Sequence, residues 1–358
     1  MLYLLLMAFF MLPFSFSEEV EEVIVTGTIL KNSENNDSTL KVLTNSAFNE
    51  LNIISFAELS KFLTSSSGSR FQTNSLDGVD QGMSNINLRG LDNTSTLLLI
   101  NSKRTTNAGT PSTRGQGYVD TNLIPEIAIK QIQILKESAS PQYGSDAVAG
   151  VINVLTYKEF TGIRIKADYQ TTTNYDQDNA RLGLLYGANN KNSNFVVGFN
   201  ILSKTPLSAS EIPGIAELAI SGLGRSFKVS DTDTVSDGVW KGVYSKNQKI
   251  PDPNCIANGG KLTNPTTCGF LYGERFNIVN DEDHLKMYSN YIHNFDNYQY
   301  VITFISSNVD VNDNPQSPSY PALPFLRRKI QPNEGGSPFN VPVTWYGRPL
   351  GSEYASPF

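Results

Sequence analysis

Residues 118–157 read YVDTNLIPEIAIKQIQILKESASPQYGSDAVAGVINVLTY, and the fold turns on this stretch. Its pattern predicts strand, helix, strand, tight turn, short helix, strand. Pro125 suits a first helical turn, where a missing N–H costs nothing. Ile127, Ala128 and Ile132 follow at helical spacing, and Ile132, Ile134 and Leu135 open a β-like run. Ser140-Pro141 is a helix start, a cap followed by proline. Gly144 and Gly150 bracket the small residues Ser145, Ala147 and Ala149, which lets backbones approach closely. Val151, Ile152, Val154 and Leu155 form a buried strand with Asn153 inside it. From composition alone this is a small α/β core with glycine turns.

Upstream, NINLRGL (Asn85–Leu91) alternates, with Ile86 and Leu88 inward and Arg89-Gly90 at a turn. LLLINSKR (Leu97–Arg104) begins as a fully apolar strand of the kind found in a sheet covered on both faces. Ser55 and Glu58 have capping-box spacing, ahead of the apolar face Phe56, Leu59, Phe62 and Leu63. Taken in order, these runs and the 118–157 stretch resemble the plug domain of TonB-dependent outer-membrane receptors over nearly all of residues 38–158. The signature positions are Arg89, Gly90, Tyr143, Gly144, Ser145, Asp146, Ala147, Gly150 and Asn153. Three departures stand out. The usual acidic-Gly or Asn-Gly turn is Asn101-Ser102, the usual Val-Glu-Val-Leu is Ile132-Gln133-Ile134-Leu135, and the usual Asp-Gly is Glu137-Ser138. Gln133, being neutral, argues against an ionic pair with a barrel arginine at that position.

Residues 1–17, MLYLLLMAFFMLPFSFS, read as a signal peptide. The apolar run Leu2–Leu12 is too short to span a bilayer, Pro13 breaks it, and small residues precede a cut before Glu18. Residues 18–37 follow as an acidic, then polar linker. Within it Glu22, Val23, Ile24, Val25, Thr26 and Gly27 make a short β-prone segment able to add to a partner's sheet edge. The resemblance implies a TonB box there, coupled to a TonB-type energy-coupling protein of the inner membrane; the other reading is the domain's own first strand. Residues 107–117, NAGTPSTRGQG, are a loop. The resemblance implies that Asn107, Thr110, Arg114 and Gln116 face an imported ligand, while the residues alone fit an ordinary surface loop equally well.

From residue 159 the period becomes two. Ile163, Ile165, Ala167 and Tyr169 alternate with Arg164, Lys166, Asp168 and Gln170. Similar faces recur at Leu182–Ala188, Phe195–Ile201, Leu285–Tyr291 and Tyr298–Phe304. Connections between them are short and long in turn, as in outer-membrane barrels. The expected fold is an α+β plug followed by an incomplete antiparallel transmembrane β-barrel, about five strands against about 22 in the family. On that count the chain is expected to be a fragment, a truncated frame or one partner of a separately encoded remainder. A soluble sandwich behind a plug-like domain, in a secreted or periplasmic binding module, shares the alternation.

Charged residues make up 17% of the chain and aromatics 10%, with a net charge of −6. That is below the roughly 25% charge of ordinary soluble proteins, and it offers no basic footprint for nucleic acid. Cys255 and Cys268 fall in one long polar loop, so an exported chain is expected to join them as a disulfide. His284 and His293 sit in an alternating run as ordinary wall positions, not as a metal site. No phosphate loop, zinc-protease or nucleophile-elbow motif occurs, so no enzyme chemistry and no cofactor is expected. The resemblance implies an outer-membrane receptor that takes up a large scarce ligand such as siderophore iron, cobalamin or a glycan, with lipid as its other neighbour.

Overall fold

The structure is a computed structural model. It describes residues 40–69, 82–109, 115, 117–218, 220–222, 224–229, 234–235, 242–243, 247–257, 260–271, 273, 277–312, 329–331, 334, 339 and 342–347. The signal-peptide reading, the segment Glu22–Gly27, and Thr110, Arg114 and Gln116 lie outside the described residues. The chain divides into two compact units. One holds residues 1–171, 178–204 and 282–310, and the other holds residues 172–177, 205–281 and 311–358.

The first unit begins with strand β1 (Leu40–Thr44) and helix α1 (Asn45–Glu50), where the Thr44 hydroxyl accepts from the Ala47 N–H as a cap. Strands β2 (Thr96–Ile100), β3 (Lys103–Arg104), β4 (Ile129–Leu135) and β5 (Gly150–Thr156) complete a five-stranded sheet in the order β1-β4-β5-β2-β3. β2 runs parallel to β5 and the other pairs are antiparallel. The near-continuous apolar runs of β2 and β5 follow from cover on both faces. Leu98, Ile152 and Val154 join Phe48, Phe56, Leu59 and Leu88 in one core. Leu97, Leu99 and Val151 pack on the other face with Ala139 and Ala147.

Two local readings are corrected. The expected helix after Pro125 is a single 3-10 turn, Glu126–Ala128, and β4 starts at once at Ile129. The ladder to β5 begins at Ile129↔Thr156, so sheet pairing claims the residues whose spacing suggested helix. The Ser55–Glu58 capping box does not close. Glu58 Oε2 accepts from the Ile54 N–H at 3.1 Å, and the buried Ser55 hydroxyl has no partner. The segment it precedes, Phe56–Phe62, is 3-10.

A second sheet of the same unit is built from β6 (Gly162–Thr171), β7 (Asp178–Asn189), β8 (Ser193–Lys204), β9 (Asp281–Asn294) and β10 (Gln299–Asn312). The order is β10-β9-β8-β7-β6, and the β6–β7, β7–β8 and β8–β9 ladders are antiparallel. Its polarity is inverted relative to a soluble protein. Ile163, Ile165, Tyr169, Leu182, Leu184, Tyr186, Ile201 and Leu285 are exposed, Tyr169 to 66%. The opposite face buries Arg181, Asn200, Lys204, Glu282, His284, Lys286 and Asn290, with Lys286 only 1% exposed.

In the second unit Arg225–Val229 pairs with Lys249–Pro251 and with Val343–Gly347. Val229, Ile250, Phe339 and Val343 form a small core there. A hairpin, Gly260–Asn264 with Thr267–Leu271, carries a disulfide between Cys268 and Cys255, their Cα atoms 5.8 Å apart.

Candidate functional site

The inner face of the second sheet holds the N-terminal domain through polar contacts. The segment Leu123–Ala128 is gripped residue by residue. Ser307 Oγ donates to the Leu123 carbonyl at 2.7 Å. Lys286 Nζ donates to the Ile124 carbonyl at 3.2 Å and to Glu126 Oε1 at 2.7 Å. The Phe56 N–H donates to the same Glu126 oxygen at 3.0 Å. The Ile127 N–H donates to Asn200 Oδ1 at 2.7 Å. Backbone groups in a 3-10 turn beside a strand have few internal partners, and here the facing strands supply them.

Charge organises this contact. Burial pushes the Glu126 carboxyl up, but the Lys286 charge and hydrogen bond, with the Phe56 N–H, outweigh it and hold Glu126 below the ordinary carboxylate value. Asp120 goes the other way, because burial dominates and raises it. Its Oδ1 still accepts from the Ser84 and Asn122 N–H groups at 3.1 and 3.0 Å, capping the short turn at Thr121.

Further contacts extend along β6, β7 and β9. Arg164 and Lys166 donate to Asn45 Oδ1 (3.3 Å) and Asn49 Oδ1 (2.8 Å) on α1. Arg181 pairs with Asp168 at 2.6 Å and donates to the Ile54 carbonyl at 2.8 Å. Tyr288 OH accepts from Thr156 Oγ1 and donates to the Tyr157 carbonyl, at 2.9 and 2.6 Å. Ile127 and Ala128 add an apolar contact, packing with Leu185, Val196 and Tyr288. His284 Nε2 lies 3.0 Å from Glu282 Oε2, which also pairs with Lys204 at 3.2 Å.

The signature residues form a separate cluster. Asn153 is buried; its Oδ1 accepts from the Ser102 N–H at 2.9 Å and its Nδ2 donates to Ser102 Oγ at 3.0 Å. It thereby holds the Asn101-Ser102 turn, where both residues have positive φ. Gly150 has φ 143°, and a Cβ there would sit 2.3 Å from the Leu135 carbonyl oxygen. Arg104 bonds Asp146 and donates to the Tyr143 carbonyl at 2.6 Å. The Arg104 hydrogen bond holds the Asp146 carboxyl below its usual range. Arg89 donates to the Val148 carbonyl at 2.8 Å. Ser145 Oγ donates to Asp146 at 3.0 Å, and Ala147 is fully buried. Asn107 lines a small cavity with Arg104, Asp146 and Tyr118.

Residues read separately in the sequence thus converge: Arg89, Tyr143, Gly144 and Asp146 around Arg104 and Val148, and Asn153 on the turn. The sequence reading missed the grip on residues 123–128, above all Glu126 and Lys286. A carboxylate in the apolar run Leu-Ile-Pro-Glu-Ile, and a lysine on the polar side of an alternating strand, were the available signals.

Comparison with known proteins gives four findings. Residues 34–151 match the family described as TonB-dependent Receptor Plug Domain. An iron-regulated outer membrane virulence protein of Vibrio cholerae is 40% identical over 75 residues, 21% of this chain and 12% of that protein. The vitamin B12 transporter BtuB of Vibrio vulnificus is 30% identical over 156 residues, 42% of this chain and 24% of that protein. Among solved structures, the siderophore receptor PirA from Acinetobacter baumannii superimposes with a TM-score of 0.41 at 17% identity, covering 78% of this chain and 41% of that one. The chain spans between about an eighth and a quarter of the length of the two curated relatives.

Proposed function

We propose, for a chain that carries the plug domain of the TonB-dependent receptors, the role of plug and first wall strands of an outer-membrane receptor that imports a scarce ligand. Residues 38–158 are the plug and residues 159–358 the start of the wall with its outer loops. One observation carries the reading: the second sheet turns its apolar side outward and its charged side toward the plug. A soluble sandwich covers its apolar faces, whereas a membrane wall leaves them to lipid. The family acts in transport rather than in catalysis, so the polar contacts serve to hold and release the plug. Siderophore, cobalamin and metal cargoes are all consistent with the scaffold.

In this reading residues 1–17 direct export, and Glu22–Gly27 pairs with the edge of the energy-coupling protein. Asn107, Thr110, Arg114 and Gln116 meet the ligand. The test has two arms. Nitroxide labels at Ile165, Leu184 and Leu285 of the chain reconstituted in bilayers should relax with a lipid-soluble agent and resist a water-soluble one. Equal access to the water-soluble agent removes the membrane assignment. Deleting residues 22–28 should abolish ligand-dependent crosslinking to the coupling protein; crosslinking that persists takes the coupling role from that segment.

A further inference from the structure

Between α1 and the strands β6–β8 lies a cavity of ≈ 20 Å³, bordered on its apolar side by Phe48 and Ile127, with space for one water-sized occupant. Its lining includes Asn45, Asn49, Arg164, Lys166, Arg181 and Asn200. The charges around it do not balance. Arg181 is neutralised by Asp168, and Glu126, which also borders the space, is neutralised by Lys286. Arg164 and Lys166 make no close ion pair among the described residues, and the Asp168 and Glu126 charges act on Lys166 only from farther off. Arg164 donates to Tyr157 OH at 3.0 Å and Asn45 Oδ1 at 3.3 Å, and lies over the Tyr157 and Phe160 rings at 4.9 and 5.0 Å. Lys166 donates to Asn49 Oδ1 at 2.8 Å.

The donors exceed the acceptors. An ammonium group has three N–H bonds, and Lys166 uses one on the protein. Asn200, which lines the cavity, accepts from Ile127 through Oδ1, and its Nδ2 lies beside Gly183. Asn45 Oδ1 accepts from Arg164 and from Asn49 Nδ2, and Asn49 Oδ1 accepts from Lys166. A water satisfies donors but leaves like charges facing each other in a partly desolvated gap, where their repulsion is strong. A monovalent anion satisfies both the donors and the charge. From this juxtaposition we infer that the cavity is a halide-sized anion site, held by Lys166, Arg164, Arg181 and the Asn200 amide, which ties α1 to the wall. The gap is too small for a carboxylate- or phosphate-bearing ligand, so the occupant is chloride. The site stands on this geometry and not on the import role.

The experiment is thermal unfolding of the full chain in detergent micelles at constant ionic strength, with sodium chloride or bromide replacing sodium gluconate. The Tm rises along a saturating curve in chloride and in bromide. In Lys166→Gln, losing a charge-assisted bond moves half-saturation up by about tenfold. Arg164→Gln acts in the same direction, but it also loses ring stacking, so Lys166→Gln is the deciding variant. Crystals grown in bromide show an anomalous peak between Lys166 and Asn200. Superimposable chloride and gluconate curves, an unchanged response in Lys166→Gln, or a peak absent from that position each overturn the site.

Discussion

Lys286 on β9 and Glu126 in the plug meet at 2.7 Å, both almost wholly buried, across 160 residues of sequence. Two charges removed from water together are tolerable only because each is also hydrogen-bonded, Glu126 by Phe56 and Lys286 by Ile124. Removing one partner strands the other. Lys286→Met should therefore cost about 3–5 kcal/mol, while Lys286→Met with Glu126→Leu should recover much of the loss. A double-mutant cycle by urea denaturation in micelles reads the coupling. Additive losses would mean that the pair holds nothing.

The same contact sets a pH dependence. The folded value of Glu126 is depressed below the ordinary 4.5, so its contribution is fully present above that range and is lost as pH falls through the lower folded value. Asp120 is raised above 3.8, so its ionisation opposes folding as pH rises through its folded value. Asp120→Asn keeps a carbonyl acceptor for the Ser84 and Asn122 N–H groups and removes the buried charge. It should be neutral or stabilising at neutral pH, whereas Asp120→Ala should cost about 1 kcal/mol through the lost cap. Denaturation midpoints against pH check both; a destabilised Asp120→Asn would show that the negative charge itself is needed.

These residues also mark how far the sequence could be read. Alternation of period two revealed β6 to β10 as strands and told which face was apolar, because side-chain direction in a strand follows from position alone. The apolar runs at Leu97–Ile100 and Val151–Val154 announced a sheet covered on both sides. Partnership across the chain was not legible. Nothing local ties Lys286 to Glu126, and Arg181 finds the Ile54 carbonyl only through the fold. The helix expected after Pro125 failed for the same reason, since spacing cannot see the β5 ladder that claims Ile129.

Gly150 tests the signature turn. Its φ of 143° is strained for any residue with a Cβ, and that atom would fall 2.3 Å from the Leu135 oxygen and 2.9 Å from Leu88 Cδ1. Gly150→Ala should cost more than about 3 kcal/mol, combining backbone strain with overlap in the core. Asn153→Leu, which keeps volume but leaves the Ser102 N–H unpaired, should cost about 1–3 kcal/mol. Thermal midpoints of the two variants rank them; a harmless Gly150→Ala would mean that the turn relaxes freely.

The disulfide belongs to the second unit, so its loss should be read there. Cys255 and Cys268 are separated by 13 residues, and a loop of that size contributes roughly 3 kcal/mol in the chain-entropy model. Cys255→Ser with Cys268→Ser should raise amide exchange at residues 220–229 and 260–271 while leaving β6–β8 unchanged. Uniform loss of protection in both units would contradict a local role.

Ile127 offers the sharpest test of how the plug is seated. Its side chain enters a dimple that two glycines leave in the second sheet. A Cβ on Gly183 would stand 3.1 Å from Ile127 Cδ1, and one on Gly198 would stand 3.2 Å from Ile127 Cγ2. Ile127→Ala should leave a void and cost about 2–5 kcal/mol. Gly198→Val should cost about 1–3 kcal/mol by overpacking, and it should loosen the Ile127–Asn200 bond at 2.7 Å. If the two shapes are complementary, the added methyl groups should refill the void, and the double variant should be more stable than the sum of the single losses predicts. Limited proteolysis of the plug, scored beside the denaturation midpoint, separates seating from general instability. Strict additivity would show that Ile127 is only one apolar contact among many, and that the polar grip of Lys286, Asn200 and Ser307 holds the segment by itself.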